Sequence, residues 1–446
     1  VPRWADRELS GWGRTIRSNC IAARPERRAD LEAIMKDSDA GTLLAYGAGR
    51  SYGDVALNSG GHSVMMQRLD RFIEFDPQTG RLVAEPGVTF SDIITTFLPR
   101  GFMPPVAPGT GFATLGGGIA NDIHGKNHHQ AGSMGQHIDW FDLLLPSGEV
   151  RRVSPENDAL LFKATVGGVG LTGIIERVCL HLKKVPSNAV NVRKQRIRDL
   201  DHYLEAFAEE QDRAEYIVGW IDALARGRHM GRGILEVASP APQNIEPQPA
   251  RTRKVPFDFP GFTLNPLTVR LFNEVYHRHV PSSGSEQLLH YPSFLFPLDA
   301  VHDWNRIYGK RGFNQFQCVV PFKSGRDALV QMLDLITKSG QGSFLAVLKA
   351  MGQPGVGFLS FPQPGYTLAL DFPNAPGTTT LIGKLERITC DFGGRTYLAK
   401  DATLTSDNLR RMYPALDQFQ AVLADIDPQG RMHSDMCKRL GLRAAK

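Results

Sequence analysis

The sequence predicts an α+β fold in which one domain is interrupted by a second. Three observations predict it. From Leu43 to Leu182, short β-rich runs are broken by glycine, with one helical stretch near Phe90–Leu98. After a polar break at Lys183–Ser187, punctuated by Pro186, a second set of strands and helices begins. Around Gly393–Ala399 the chain is expected to return to the first domain, which C-terminal helices complete. The first domain is therefore expected over 1–185, the inserted one over 186–392, and the return over 393–446.

The elements follow in order. Thr42–Tyr46 is a short apolar run and reads as a buried strand. Gly173–Leu182 alternates and is β-branched, so it reads as another. Leu200–Glu215 is charged and helical, and Tyr216–Ala223 and Gly233–Ala238 read as strands of a second sheet. Pro240, Pro242, Pro247 and Pro249 make Ser239–Arg253 a loop. Val255–Val280 is interrupted by proline but rich in apolar residues, among them Phe257, Phe262, Leu267, Leu271, Phe272 and Val275. Core packing is the default account of them; a mobile lid or membrane-facing lip is the competing one. Phe316–Pro321, Ser343–Leu348 and Tyr366–Phe372 supply further strands, with helices at Gly325–Thr337 and Thr379–Cys390.

Composition narrows the function. The net charge of +5 over 446 residues is too dilute for a nucleic-acid footprint, but it suits an anionic substrate or an anionic lipid surface. No run of about 18 apolar residues spans a membrane, and the charged VPRWADRELSGW start does not read as a secretory signal. A cytoplasmic or peripheral membrane location is expected. Five scattered cysteines without a C-x-x-C pair argue against zinc and a disulfide scaffold, and Cys179 and Cys318 read as core residues.

The chemistry is concentrated in three glycine-rich segments. Tyr46–Gly61 offers a tight turn through Gly47, Gly49 and Gly53, with donors from Arg50, Ser51 and Tyr52. Pro108–Ser133 joins Gly109, Gly111, Gly116, Gly117 and Gly118 to a cluster of His124, Lys126, His128 and His129. In Ala164–Val178, Gly168, Gly170 and Gly173 formally match G-x-G-x-x-G, but a strand follows where a dinucleotide fold needs a helix. No Gly-Lys-Ser/Thr closes any run, so a Walker loop is excluded too. Three such loops without a helix-dipole motif imply a long anionic cofactor held by backbone amides, which FAD fits.

GRSYGD at Gly49–Asp54, PGT followed by GGGIANDIHGKNHH, and GGVGLTGII at Gly167–Ile175 resemble the flavin-binding domain of the vanillyl-alcohol-oxidase superfamily. Within it the chain is most similar to the decaprenylphosphoryl-β-D-ribose 2′-oxidase family, the flavin half of a two-enzyme epimerase. GWGRT at Gly11–Thr15, FPLDAVHDWNRIYG at Phe296–Gly309, SFLAVLK at Ser343–Lys349 and the Gly393–Pro414 segment extend the likeness in order along nearly the whole chain. The resemblance implies a two-subdomain FAD-binding domain with an inserted substrate domain on an antiparallel sheet.

It also implies a site. For FAD, held without a covalent bond, it points to Gly47–Gly53, to Pro108, Gly109, Thr110 and Thr114, and to Gly116 and Gly117. Ala120, Asn121, Ile123, His124 and Gly125 follow, then Gly170, Gly173, Ile174, Ile175 and Tyr397. Lys400, in YLAKD, is the expected positive charge at flavin and substrate, with His124 orienting substrate or taking the proton. Gln317 matches a pocket position offering donor and acceptor to a sugar. Lys126 and Lys349 suit a phosphodiester, Trp220 an apolar wall, and Tyr397 the substrate side of Lys400. His128 and His129 are given no role, and no metal is expected.

The departures lie in the substrate wall. Thr367 and Ala369 stand where the family has asparagine and cysteine, and Leu295 and Phe296 replace Tyr-His. The implied activity is oxidation of the 2′-hydroxyl of a polyprenyl-phosphoryl ribose to a ketone. A separate NAD(P)H-dependent ketoreductase would complete epimerisation to the arabinose form used in cell-wall arabinan. The alternatives are a soluble sugar-alcohol or aldonolactone oxidase on the same fold, and a flavin-free binding module.

Overall fold

The computed structural model describes residues 3–37, 39–246, 252–342 and 344–444. It is α+β. A four-stranded sheet has the order Ala5–Ser10, Arg17–Ala23, His62–Met65, Leu43–Tyr46, antiparallel at the first pair and parallel at the others. Beside it lies an antiparallel five-stranded sheet: Phe72–Asp76, Arg81–Ala84, Ile174–His181, Ile138–Leu144, Val150–Val153.

An antiparallel eight-stranded sheet follows. Its order is Ser285–His290, Ala189–Ile197, Gly233–Pro240, Tyr216–Ile221, Ala346–Met351, Gly365–Pro373, Phe313–Val320, Arg395–Thr396. Period-two alternation gives this sheet two different faces. Phe316, Cys318, Leu348, Leu368, Leu370 and Phe372 pack into a core with helices Leu200–Glu210, Phe322–Ser339 and Thr378–Asp391. The intervening residues Gln315, Gln317, Val347, Lys349, Thr367 and Ala369 line a cavity on the opposite face. Register aligns Trp220 with Val347, Val347 with Ala369, and Ala369 with Gln317, one row across four strands.

Several sequence expectations need correction. The charged helix stops at Glu210, where Gln211 caps it, rather than running to Glu215. The strand from Gly233 continues through Ser239 and Pro240, because Val190 and Asn191 pair with them; of the proline loop, Pro247 and Pro249 lie outside the described residues. GGGIA is not loop but a short helix, Leu115–Ala120, capped by the Thr114 hydroxyl. Core packing fails for most of Val255–Val280. Pro266 begins a helix to His279, and Phe257, Phe262, Leu267, Leu271 and Val275 are 62–77% exposed.

The C-terminal return is tied down by charge. Arg439 donates to Asp54 at 2.7 and 2.8 Å and to Asp401 at 2.9 Å, joining the last helix, Asp435–Leu440, to the first glycine loop and to the neighbour of Lys400. Gly53 is required there. A Cβ on it would lie 1.8 Å from the Asp401 carbonyl oxygen.

Candidate active site

All three glycine-rich segments and the open face of the eight-stranded sheet enclose one cavity of about 670 Å³. That lies within the ~300–1,000 Å³ of typical cofactor and ligand sites. Gly47, Gly49, Arg50, Ser51 and Tyr52 line it from the first segment, and Pro108–Thr110, Thr114, Gly116, Gly117 and Ala120–Lys126 (Asp122 excepted) from the second. The third contributes Gly170, Gly173 and Ile175. Two expected cofactor residues are not among the lining. Gly53 packs on Asp401, and Ile174 is fully buried in the core beneath the four-stranded sheet.

Lys126, Lys349 and Lys400 converge on the cavity from three elements. None makes an ion pair with a carboxylate among the described residues. Lys400 Nζ sits 3.8 Å from the centre of the Tyr52 ring, and Lys126 Nζ donates to the Phe294 carbonyl at 2.5 Å while lying 4.1 Å from that residue's ring. Burial pulls Lys400 down to about 7, opposed by the Asp371 carboxylate and reinforced by Lys349. Burial also brings Lys126 and Lys349 to about 8; the Glu236 carboxylate opposes the shift of Lys126 and the Lys194 ammonium adds to it, as the Lys126 ammonium does for Lys349.

His124 meets Gln317 across the cavity, its Nε2 3.0 Å from the amide nitrogen. With that amide as donor, the imidazole carries its proton on Nδ1, which has no hydrogen-bond partner. Burial and the charges of Lys349 and Lys400 hold the ring well below the ordinary histidine range, so it is neutral. Tyr397 lies beside it, its ring tilted 54° with 5.2 Å between ring centres, and donates to the Asn121 carbonyl at 2.9 Å. His128 accepts from the Gly352 amide and His129 meets the Ala214 carbonyl, each fastening one segment to another.

Other lining residues were missed by the sequence reading. Gln315 sits two residues before Gln317 on the same strand face, a spacing that could have revealed it. It donates to Asp371 at 2.5 Å; Tyr308 donates to that carboxylate at 3.2 Å, and burial pushes it up to about 7. Arg50 is flanked by the rings of Trp12 and Phe112, at 4.4 and 4.7 Å. Asp299 accepts from the Gly111 amide at 2.7 Å and faces Arg50. These partners come from distant segments, so no local motif announces them.

Residues 21–154 match the FAD binding domain model, and residues 370–440 match the D-arabinono-1,4-lactone oxidase model. The chain is 36% identical to decaprenylphosphoryl-beta-D-ribose oxidase of Mycolicibacterium smegmatis over 98% of both chains. It belongs to that protein's family. An uncharacterized protein of Streptomyces coelicolor is 32% identical over 80% of this chain and all of its own length. L-gulono-1,4-lactone dehydrogenase of Mycobacterium tuberculosis is 24% identical over 97% of this chain and 98% of its own.

As a member of the decaprenylphosphoryl-ribose oxidase family, the protein is an FAD-dependent oxidoreductase. Its residues fit the cofactor. A Cβ on Gly109 would touch nothing, leaving that backbone open to the cavity, and Arg50 Nε, Asn121 Oδ1 and His124 Nδ1 are buried without partners. A flavin's many donors and acceptors would satisfy such groups.

Proposed function

We propose that the protein oxidises the 2′-hydroxyl of a polyprenyl-phosphoryl-β-D-ribose to the 2′-ketone. The observation that carries this reading is the convergence of Lys126, Lys349 and Lys400, unpaired, on one largely apolar cavity. Buried cations without a carboxylate counter-ion are costly, and an anionic occupant offsets that cost. A cofactor that becomes anionic when reduced and a substrate phosphodiester would supply two anions in the one site. The Mycolicibacterium smegmatis relative, named for decaprenylphosphoryl-ribose, supports that choice of lipid-linked sugar.

FAD, when bound, supplies the acceptor for the substrate hydride. In this reading Lys400 sets a positive charge at the reacting centre, and neutral His124, steadied by Gln317, faces the hydroxyl whose proton must leave. Lys126 and Lys349 take the phosphodiester, while Trp220, Ala369 and Tyr397 form the wall of the sugar pocket. FAD is held without a covalent bond by the glycine-rich segments. The domain division is 1–185, 186–392 and 393–446, with two subdomains in the flavin part. A separate NAD(P)H-dependent ketoreductase consumes the ketone, and the protein works at a membrane surface.

Anaerobic flavin bleaching tests the reading. Bleaching by a polyprenyl-phosphoryl ribose, and not by free sugars or aldonolactones, is the expected result. Because residues 370–440 match a lactone oxidase model, bleaching by aldonolactones alone would install that activity instead.

A further inference from the structure

The helix Pro266–His279 turns its apolar side outward. Leu267, Leu271 and Val275 recur every fourth residue along one face and are exposed, as are Phe257 and Phe262 just before the helix. This orientation is fixed rather than incidental. On the inner face Val269 is buried, Asn273 donates to Asp222 at 2.7 Å, and Glu274 pairs with Arg232 at 2.7 Å.

The outer face is continuous with the cavity. Phe272 stacks on Tyr276, 5.7 Å between centres, and Tyr276 meets Trp220 at 4.8 Å; the latter two line the cavity. The rim is basic. Arg270 and Arg311 are exposed and make no ion pair among the described residues, and Arg311 lies against Gly261, next to Phe262. The nearby acids are already neutralised, Asp258 by Arg14 and Glu274 by Arg232 and Arg278.

We propose that this face is a docking surface for an anionic lipid bilayer, from which the ring series Phe272–Tyr276–Trp220 leads a lipid chain into the cavity. Large apolar groups ringed by arginine are what an interfacial helix uses: the rings and aliphatic chains enter the acyl boundary while the guanidinium groups meet lipid phosphates. The route for the chain rests on the lipid-linked substrate proposed above; the docking surface itself does not.

The test is flotation of the FAD-loaded protein with phosphatidylcholine vesicles, with and without phosphatidylglycerol, alongside light scattering for oligomeric state. Binding is expected to the phosphatidylglycerol vesicles and to weaken with salt. Leu271→Asp and Arg270→Glu should each reduce it about tenfold or more, about 1.4 kcal/mol, with unchanged melting temperature and unchanged bleaching by a short-chain soluble analogue. No flotation with either vesicle, or full flotation of Leu271→Asp, overturns the proposal. So does a wild-type dimer that Leu271→Asp converts to monomer, since the face would then be covered by a second copy. Flotation uses no substrate, so intact vesicle binding with no bleaching by lipid-linked ribose sinks the substrate reading and leaves the surface standing.

Discussion

Lys400 holds its ammonium 3.8 Å from the centre of the Tyr52 ring, while the Tyr52 amide donates to the Ala399 carbonyl at 3.0 Å. The first glycine segment and the lysine nearly 350 residues later are thus one structural unit. The backbone bond fixes the spacing and the ring face steadies the charge.

Lys400→Ala should therefore slow substrate-dependent flavin bleaching by roughly 10²–10³, the usual effect of deleting one preorganised electrostatic group. Stopped-flow absorbance at the flavin band measures it. Bleaching at the wild-type rate would remove Lys400 from the chemistry.

The three cavity lysines make a prediction about pH. Their folded values of about 7, 8 and 8 lie below the ordinary 10.5, so above pH 7 the unfolded chain holds more protons than the folded one. Buried Asp371 and Glu386, raised to about 7, oppose this near pH 7 and cease to once ionised, so stability of the FAD-free protein should rise with pH across the window as a whole. Buried Cys179 and Cys318, raised to about 11 and 12, oppose the trend only above about pH 9. Adding pyrophosphate should stabilise most at pH 7 and flatten the slope. A melting temperature that falls from pH 7 to 8.5 contradicts this.

Arg439→Ala should destabilise the protein by about 3 kcal/mol, because it strands the buried carboxylates of Asp54 and Asp401. The deficit should shrink as pH falls and the Asp54 carboxylate, which burial already pushes up, takes up a proton instead. Thermal melts from pH 8 down to pH 5, with released flavin as a second signal, follow both effects.

The cavity wall carries no thiol among the described residues. Ala369 faces the cavity, whereas Cys318, one strand over, points into the helix-covered core. A small thiol-directed electrophile should leave Cys318 unmodified under native conditions, and Ala369→Cys should add one rapidly formed adduct. Native labelling mapped to Cys318 would mean the two strand faces are assigned the wrong way round.

Much of this was legible in the sequence because it is local. The runs Tyr366–Phe372 and Phe316–Pro321 announced strands that fold as 365–373 and 313–320, and the glycine segments announced a ligand before any partner was known. Asp371, Asp299 and Trp12 were invisible because their significance lies in neighbours 56, 188 and 38 positions away, met only after folding. The outward apolar helix misled for a related reason. Hydrophobic periodicity marks a face that avoids water, and it is silent on whether protein or lipid covers it.

The Arg439 clasp has a consequence for how the molecule is made. The first glycine segment leaves the ribosome 385 residues before the arginine that locks Asp54 to Asp401. Until then the first glycine segment meets the Lys400 turn through the Tyr52–Ala399 bond and the packing of Gly53 on Asp401 but lacks the charged clasp, and the nascent chain waits with its flavin cleft incompletely fastened. A chain stalled before Arg439 should therefore be a client for chaperones and proteases rather than a slow enzyme.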